Sequence, residues 1–162
     1  MVPRRALEIR GLAIAVALLL GFSAGPPRGI RPVEADGPGK PASASLVAEL
    51  RGAVAEAVER FEARDAAGVL ARVSDQYRTG PLTKAAIRDQ LLAIYAVYDA
   101  VRARVRIDEV RTVNGHAWIY SSGEVSGQLP LVGSWVVFLS WERELEVARR
   151  ETSGWRLFGY QQ

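Results

Sequence analysis

Residues 101–127 read VRARVRIDEVRTVNGHAWIYSSGEVSG, and the fold turns on how this stretch pairs with itself. Val101, Ala103, Val105 and Ile107 alternate with Arg102, Arg104, Arg106 and Asp108, the period of a half-buried strand. Asn114-Gly115 marks a two-residue hairpin, because both positions of a type I′ turn need positive φ. An unbroken ladder outward from that turn would set Glu124 opposite Val105 on the buried face, and an unpaired carboxylate there is costly. One extra residue at Asp108-Glu109 removes the conflict, and the alternation itself slips there, from odd apolar positions to Val110. With that bulge, Ser121, Gly123 and Val125 face Ile107, Val105 and Ala103, and Glu124 meets Arg104 on the outer face. Trp118 and Tyr120 then point outward, alongside Val136 and Phe138 of the next strand. Such a group predicts an association surface for a homodimer.

Downstream, GQLPLVG is a loop. A long strand is predicted over 134–150, with Trp135, Val137, Leu139, Trp141, Leu145 and Val147 on one face. The same alternation sends Glu142, Glu144 and Glu146 to the opposite, outer face with Arg102, Arg104 and Arg106, as a solvated surface whose pairs contribute about 0–1 kcal/mol each. ETSG turns the chain, and WRLFGYQQ closes it as a last strand. Upstream, the period is helical. Residues 45–64 carry Leu46, Leu50, Ala53, Ala57, Val58 and Phe61 as one stripe behind Ser45 as N-cap. Asp65 caps a second helix over about 66–73. Thr83 caps a third over about 84–98, whose stripe is Ile87, Leu91, Ile94 and Tyr98.

The first 44 residues differ in kind. Residues 1–24 place Arg4, Arg5 and Arg10 before an apolar run from Gly11 to Phe22, the plan of a secretory signal peptide. Cleavage after Ala24 or as late as Ala35 fits the small-residue rule in part. The run is shorter than the roughly 20 residues of a spanning helix, so no stable membrane span is expected. A membrane anchor through an uncleaved segment is the alternative to a secreted or periplasmic protein. Residues 25–44 hold five Pro and four Gly and read as a disordered spacer, leaving 45–162 as the domain. The chain is +3 overall, but residues 1–35 carry five Arg against two Glu, so the remainder is balanced. That balance argues against nucleic acid as a partner.

The order of three helices and then a curved antiparallel sheet resembles the nuclear transport factor 2-like superfamily. The residues that carry it are VERFEARDAAGVLARVSDQY (58–77), GPLTKAAIRDQL (80–91) and RRETSGWRLFGYQ (149–161). The resemblance implies an α+β cone with a mostly antiparallel sheet of four or more strands, enclosing a pocket. It also implies a choice, because the superfamily holds ketosteroid isomerases, polyketide cyclases and dehydratases as well as non-catalytic binders. The usual fuller hairpin before the third helix is reduced here to SDQYRT.

The candidate chemistry is sparse. There is no Cys and one His, so a zinc site would need carboxylates for nearly every ligand, and no cofactor motif appears. An isomerase would need an acid or base and a phenol in an apolar cavity. Asp75 with Tyr77, or Asp99 with Tyr95 and Tyr98, are the residues for that alternative. The plainer expectation is a domain without catalysis that binds a small apolar ligand or a protein partner, with Tyr77, Tyr95, Tyr98, Trp135 and Trp155 lining the pocket.

Overall fold

The computed structural model describes residues 38–160. The predicted signal peptide and most of the predicted spacer lie outside the described residues. The spacer's end is part of the fold. Strand β1 (Lys40–Pro41) pairs with Thr112 and Arg111, the Ala42 N–H donates to Val110 O at 3.0 Å, and the Arg111 guanidinium donates to Gly39 O at 3.0 Å. Pro41 is tolerated because it lies on an edge, where a missing N–H leaves no ladder bond unmade. Residues 39–42, inside the predicted spacer, therefore pair with the sheet ahead of the predicted domain start at residue 45.

Three helices occur among the described residues. Helix α1 spans Ala44–Glu62, capped by Ser43 rather than Ser45, whose hydroxyl accepts from Leu46 N–H at 3.2 Å. Helix α2 is short, Ala66–Leu70, with the Asp65 carboxylate accepting from Gly68 N–H at 2.9 Å. Strands β2 (Arg78–Thr79) and β3 (Leu82–Thr83) form the reduced hairpin. Helix α3 runs Lys84–Val97 behind the Thr83 cap. The main sheet comprises β4 (Ala100–Val113), β5 (His116–Gln128), β6 (Trp135–Glu151) and β7 (Gly154–Leu157), antiparallel in the order β1-β4-β5-β6-β7. The fold is α+β, a curved five-stranded antiparallel sheet with helices on one face.

The β4–β5 register follows the hairpin argument. Ile107, Val105 and Ala103 lie opposite Ser121, Gly123 and Val125, Arg104 opposite Glu124, and the shift falls between Ile107 and Glu109. A second bulge stands beside it on β6, where Glu142 and Arg143 together face one residue of β5. Arg143 takes φ 47° there. Ser122, between the two bulges, donates its hydroxyl to Asp108 and accepts from Arg143 N–H at 3.0 Å. The sheet bends along this line.

The β6 bulges overturn the single-face reading of that strand. A further shift between Val125 and Ser126 leaves Phe138 as the extra residue. Each inserted residue exchanges the two faces. Trp135 and Val137 are outward, Leu139 and Trp141 inward, Leu145 and Val147 outward again. Val136 and Phe138, predicted outward, pack against the core, Phe138 stacking on Tyr98 at 4.7 Å between ring centroids. Glu144 and Glu146, predicted on the solvated face, stand opposite Ser121 and Ile119 on the inner face.

The main core packs Phe61, Val69, Val73, Ile87, Leu91 and Ile94 of the helical layer against Val125, Leu139 and Trp141. Gly123 and Gly127 make room for it. A Cβ at Gly123 would lie 2.4 Å from the Trp141 ring, and one at Gly127 2.4 Å from the Tyr98 ring. A second cluster joins Leu50, Val110, Ala117, Ile119, Ala148 and Trp155 under the N-terminal half of α1. No helix of the described residues is long and apolar enough to cross a membrane.

Candidate functional site

Between α1 and the sheet the second cluster is incompletely filled. Leu50, Ala53, Val54 and Ala57 recur at helical spacing and face the sheet, and the two alanines are too short to reach it. Across from them stand Ile119, Ala148, Trp155 and Leu157, and the gap is a cleft of about 40 Å³. One water-sized unit needs roughly 10–15 Å³ by the same measure, so the cleft accepts the end of a chain or ring rather than a whole steroid-sized molecule.

Arg72 lies at its edge, whereas Arg156 borders it from β7 with its side chain on the far face of the sheet, the face of Arg149. Arg72 pairs with Glu56 of α1. Arg156 reaches Glu151 only at 3.5 Å. The Trp155 indole N–H is buried without a partner, and the Arg150 guanidinium lies 6.0 Å from its ring centre.

A second feature sits on the same face of the sheet. Glu146 lies directly across from Ile119 and two residues from Ala148, both of which line the cleft. It is 5% exposed. Burial pushes its carboxyl up to about 8, opposed by hydrogen bonds from Val147 N–H and the Tyr77 hydroxyl. Glu146 is therefore mostly neutral at pH 7, and its Oε1 has no partner. Tyr77 is raised above the ordinary phenol value by burial and by Glu146. The Thr79 hydroxyl donates to the Tyr77 oxygen at 3.2 Å and accepts from Tyr160 N–H at 3.1 Å. A file of hydrogen bonds thus runs from the C-terminal segment to the buried acid.

The residues predicted as pocket lining do not converge. Trp155 forms a wall of the cleft. Tyr77 belongs to the acid pair. Tyr98 is buried in the core against Phe138. Tyr95 packs on Phe61 at 5.7 Å and lies under Arg64; burial, then the nearby Asp65 charge, push its phenol up to about 12. Trp135 stands on the outer face with Arg102 stacked on it at 4.0 Å.

The two aspartates of the isomerase alternative are at the surface. Asp75 is 84% exposed, and the Lys84 ammonium at 2.7 Å holds its carboxyl below the usual range. Asp99 is exposed beyond the end of α3. Trp118 and Tyr120 are outward as the register requires, Trp118 edge-on to Tyr160 at 6.0 Å and Tyr120 beside Arg143 at 5.2 Å. No group of three metal-binding side chains occurs among the described residues.

Glu146, Arg72 and Arg156 escaped the sequence reading. The signal for Glu146 was WERELE (141–146), where alternation resumed only if no bulge intervened. Arg72 and Arg156 belong to segments that meet only in three dimensions, where Leu157 bridges Val73 in parallel and its N–H donates to Arg72 O at 2.8 Å.

No protein-family model matches the chain, and no curated protein matches it. Solved structures do. The chain is similar to a conserved protein from Planctomyces limnophilus DSM 3776, with a TM-score of 0.59 and 13% identity, covering 71% of this chain and 92% of that one. It is similar to a ketosteroid isomerase-like protein from Erwinia carotovora atroseptica SCRI1043, with a TM-score of 0.55 and 19% identity, over 72% of this chain and 94% of that one. A protein from the NTF2-like family of Streptomyces avermitilis aligns with a TM-score of 0.54 and 15% identity, over 71% and 93%. At such identities the likeness is one of fold: the chain is folded like these ketosteroid isomerase-like and NTF2-like proteins.

Proposed function

We propose that this nuclear transport factor 2-like cone is an exported binding domain without catalysis, which takes one small apolar ligand in the cleft between α1 and the sheet. The observation that carries the reading is the chemistry of the cleft. Its walls are almost wholly carbon, bounded by Trp155 with Arg72 at the rim, the composition by which small-molecule sites bind and orient. Export is supported by the order of Arg4, Arg5, Arg10 and the apolar run after them. Cleavage after Ala24 or after Ala35 leaves Gly39 and β1 in place. Native mass spectrometry of the exported chain tests the reading. The expected result is a bound small molecule that a filling substitution, Ala57→Phe, excludes. A chain that carries and accepts nothing in either form contradicts it.

A second reading, a lyase or isomerase, is favoured by the Glu146–Tyr77 pair. A neutral carboxyl beside a phenol stabilises enolate oxygen in this class of chemistry, and the half-buried Glu144 shares its face. Asp75 and Asp99, in solvent, have no part in it. Deuterium exchange next to the carbonyl of a small cyclic ketone, abolished by Tyr77→Phe, would move the assignment to an enzyme. As for partners, the outward Trp118 and Tyr120 support a homodimer through the outer sheet face, without Val136 and Phe138.

A further inference from the structure

Among the described residues, β4 is an edge strand for most of its length. β1 covers only Arg111 and Thr112, with one further bond from Ala42 N–H to Val110 O, and no strand lies beside Ala100–Glu109 on that side. The Glu62 carboxylate of α1 accepts from Ala103 N–H at 3.0 Å, so Ala103 turns its backbone groups away from β5. Antiparallel alternation turns those of Val105 the same way. Beside this edge a groove of about 680 Å³ runs between α1 and β4, and Val54, Val58, Val105 and Ile107 are half-buried along it. On the other, outer face of the same strand, the Arg104 and Arg106 side chains are 85% and 77% exposed. Arg104 donates to Glu124 at 3.0 Å and Arg106 to Asp108 at 2.7 Å, and a guanidinium has donors to spare for a second carboxylate.

We propose that the β4 edge at 103–107 accepts an extended peptide of a partner protein as an added antiparallel strand, and that the peptide alternates apolar with acidic side chains. The main chain supplies the pairing and the alternate side chains the selection. Residues opposite each other in a ladder share a face. Those facing Ala103, Val105 and Ile107 therefore enter the apolar groove, and those facing Arg104 and Arg106 lie on the outer face beside two arginines. Each opposite-charge pair raises affinity about 1.5- to 5-fold. Other occupants fit less well. Residues 25–37 of this chain bring Pro26, Pro27 and Pro32, which have no N–H, and Arg28 and Arg31, which carry the charge of the edge. A second β4 paired on itself about Arg104 sets Arg102 against Arg106, so the same charges that attract an acidic strand refuse a copy of this one. The groove shares only Val54 with the cleft on the other flank of α1, and the proposal stands apart from the cleft reading.

An amide NMR titration of the full chain with end-blocked pentapeptides tests this. Val-Glu-Val-Glu-Val is expected to give saturable shifts over residues 103–107, and Val-Lys-Val-Lys-Val to bind about tenfold more weakly or worse. In the proposed pairing the central valine exchanges hydrogen bonds with Val105, whereas the glutamate N–H groups point to solvent. N-methylation of the central valine is therefore expected to abolish binding, and N-methylation of both glutamates to spare it. The double change Arg104→Gln with Arg106→Gln is expected to weaken the acidic peptide about fivefold and to leave Val-Ser-Val-Ser-Val unchanged, with unaltered circular dichroism. Equal binding of the acidic and basic peptides overturns the proposal. So does binding that survives methylation of the central valine, binding that ignores the arginine changes, or no saturable shift at 103–107.

Discussion

Replacing Glu146 by Gln should make the protein more stable at pH 8 than the natural sequence, and scarcely change it near pH 5. The folded-state pKa of Glu146 is raised from 4.5 to about 8. The folded state therefore binds this proton more tightly than the unfolded chain. The stability it confers is fully present below about pH 4.5 and is lost as pH rises toward 8. At about 1.4 kcal/mol per unit, the whole loss is on the order of 4–5 kcal/mol, an amount that relaxation and water entry around the charged form would reduce. Glutamine is nearly the same shape, accepts the Tyr77 and Val147 hydrogen bonds and never ionises, so it escapes the loss.

Urea unfolding followed by tryptophan fluorescence from pH 4.5 to 9 is the assay. The absence of cysteine keeps thiol chemistry out of it. The quantity to read is the difference between the two curves, which cancels every other titrating group. It should widen by several kcal/mol between pH 5 and 8 and then stay flat. Curves that run parallel would refute the reasoning, since they would mean that the carboxyl ionises as freely in the fold as out of it.

Other consequences follow from particular contacts. Gly123→Ala places a methyl 2.3 Å from Arg104 O and 2.4 Å from the Trp141 ring. Overpacking of this kind costs about 1–3 kcal/mol, and a thermal melt no lower than the parent's would contradict the inward placement of Trp141. Ser122→Ala removes the hydroxyl that serves both bulges and should destabilise by about 1–3 kcal/mol, as read from denaturant midpoints. Trp118→Glu should split a dimer seen by sedimentation at tens of micromolar; a parent chain already monomeric there contradicts the homodimer. Intact mass of the exported protein should place its first residue at Gly25 or Asp36, and a mature form still carrying residues 1–24 contradicts cleavage.

Much of the fold was legible because local rules agreed with each other. Asn114-Gly115 fixed the first hairpin, and the cost of burying Glu124 forced its bulge to Asp108-Glu109, where the register does shift. Asp65 and Thr83 capped the helices they were expected to cap. The third long strand failed for a physical reason. Nothing in WVVFLSWERELEV (135–147) forbids regular alternation, because a glutamate on either face reads as polar outside. The bulge at Glu142-Arg143 stands beside the β4 bulge and shares Ser122 with it, a tertiary pairing that the strand's own pattern does not announce, and it turned Glu146 inward. The site was legible only in Trp155. Its partners on α1 are small residues chosen for the space they leave, and Arg72 is joined to the last strand by a backbone hydrogen bond from Leu157 that no local pattern announces.

A binding role for the domain requires the cleft between α1 and the sheet to take an apolar guest. The direct measurement is a two-dimensional amide and methyl NMR titration of the chain with hexanol, a neutral probe that tests the apolar walls alone. Saturable shifts should gather on Ala53, Ala57, Ile119, Ala148 and the Trp155 side chain, and Ala57→Phe should erase them. Shifts scattered over the outer sheet face, or none at all below the solubility limit, would contradict it.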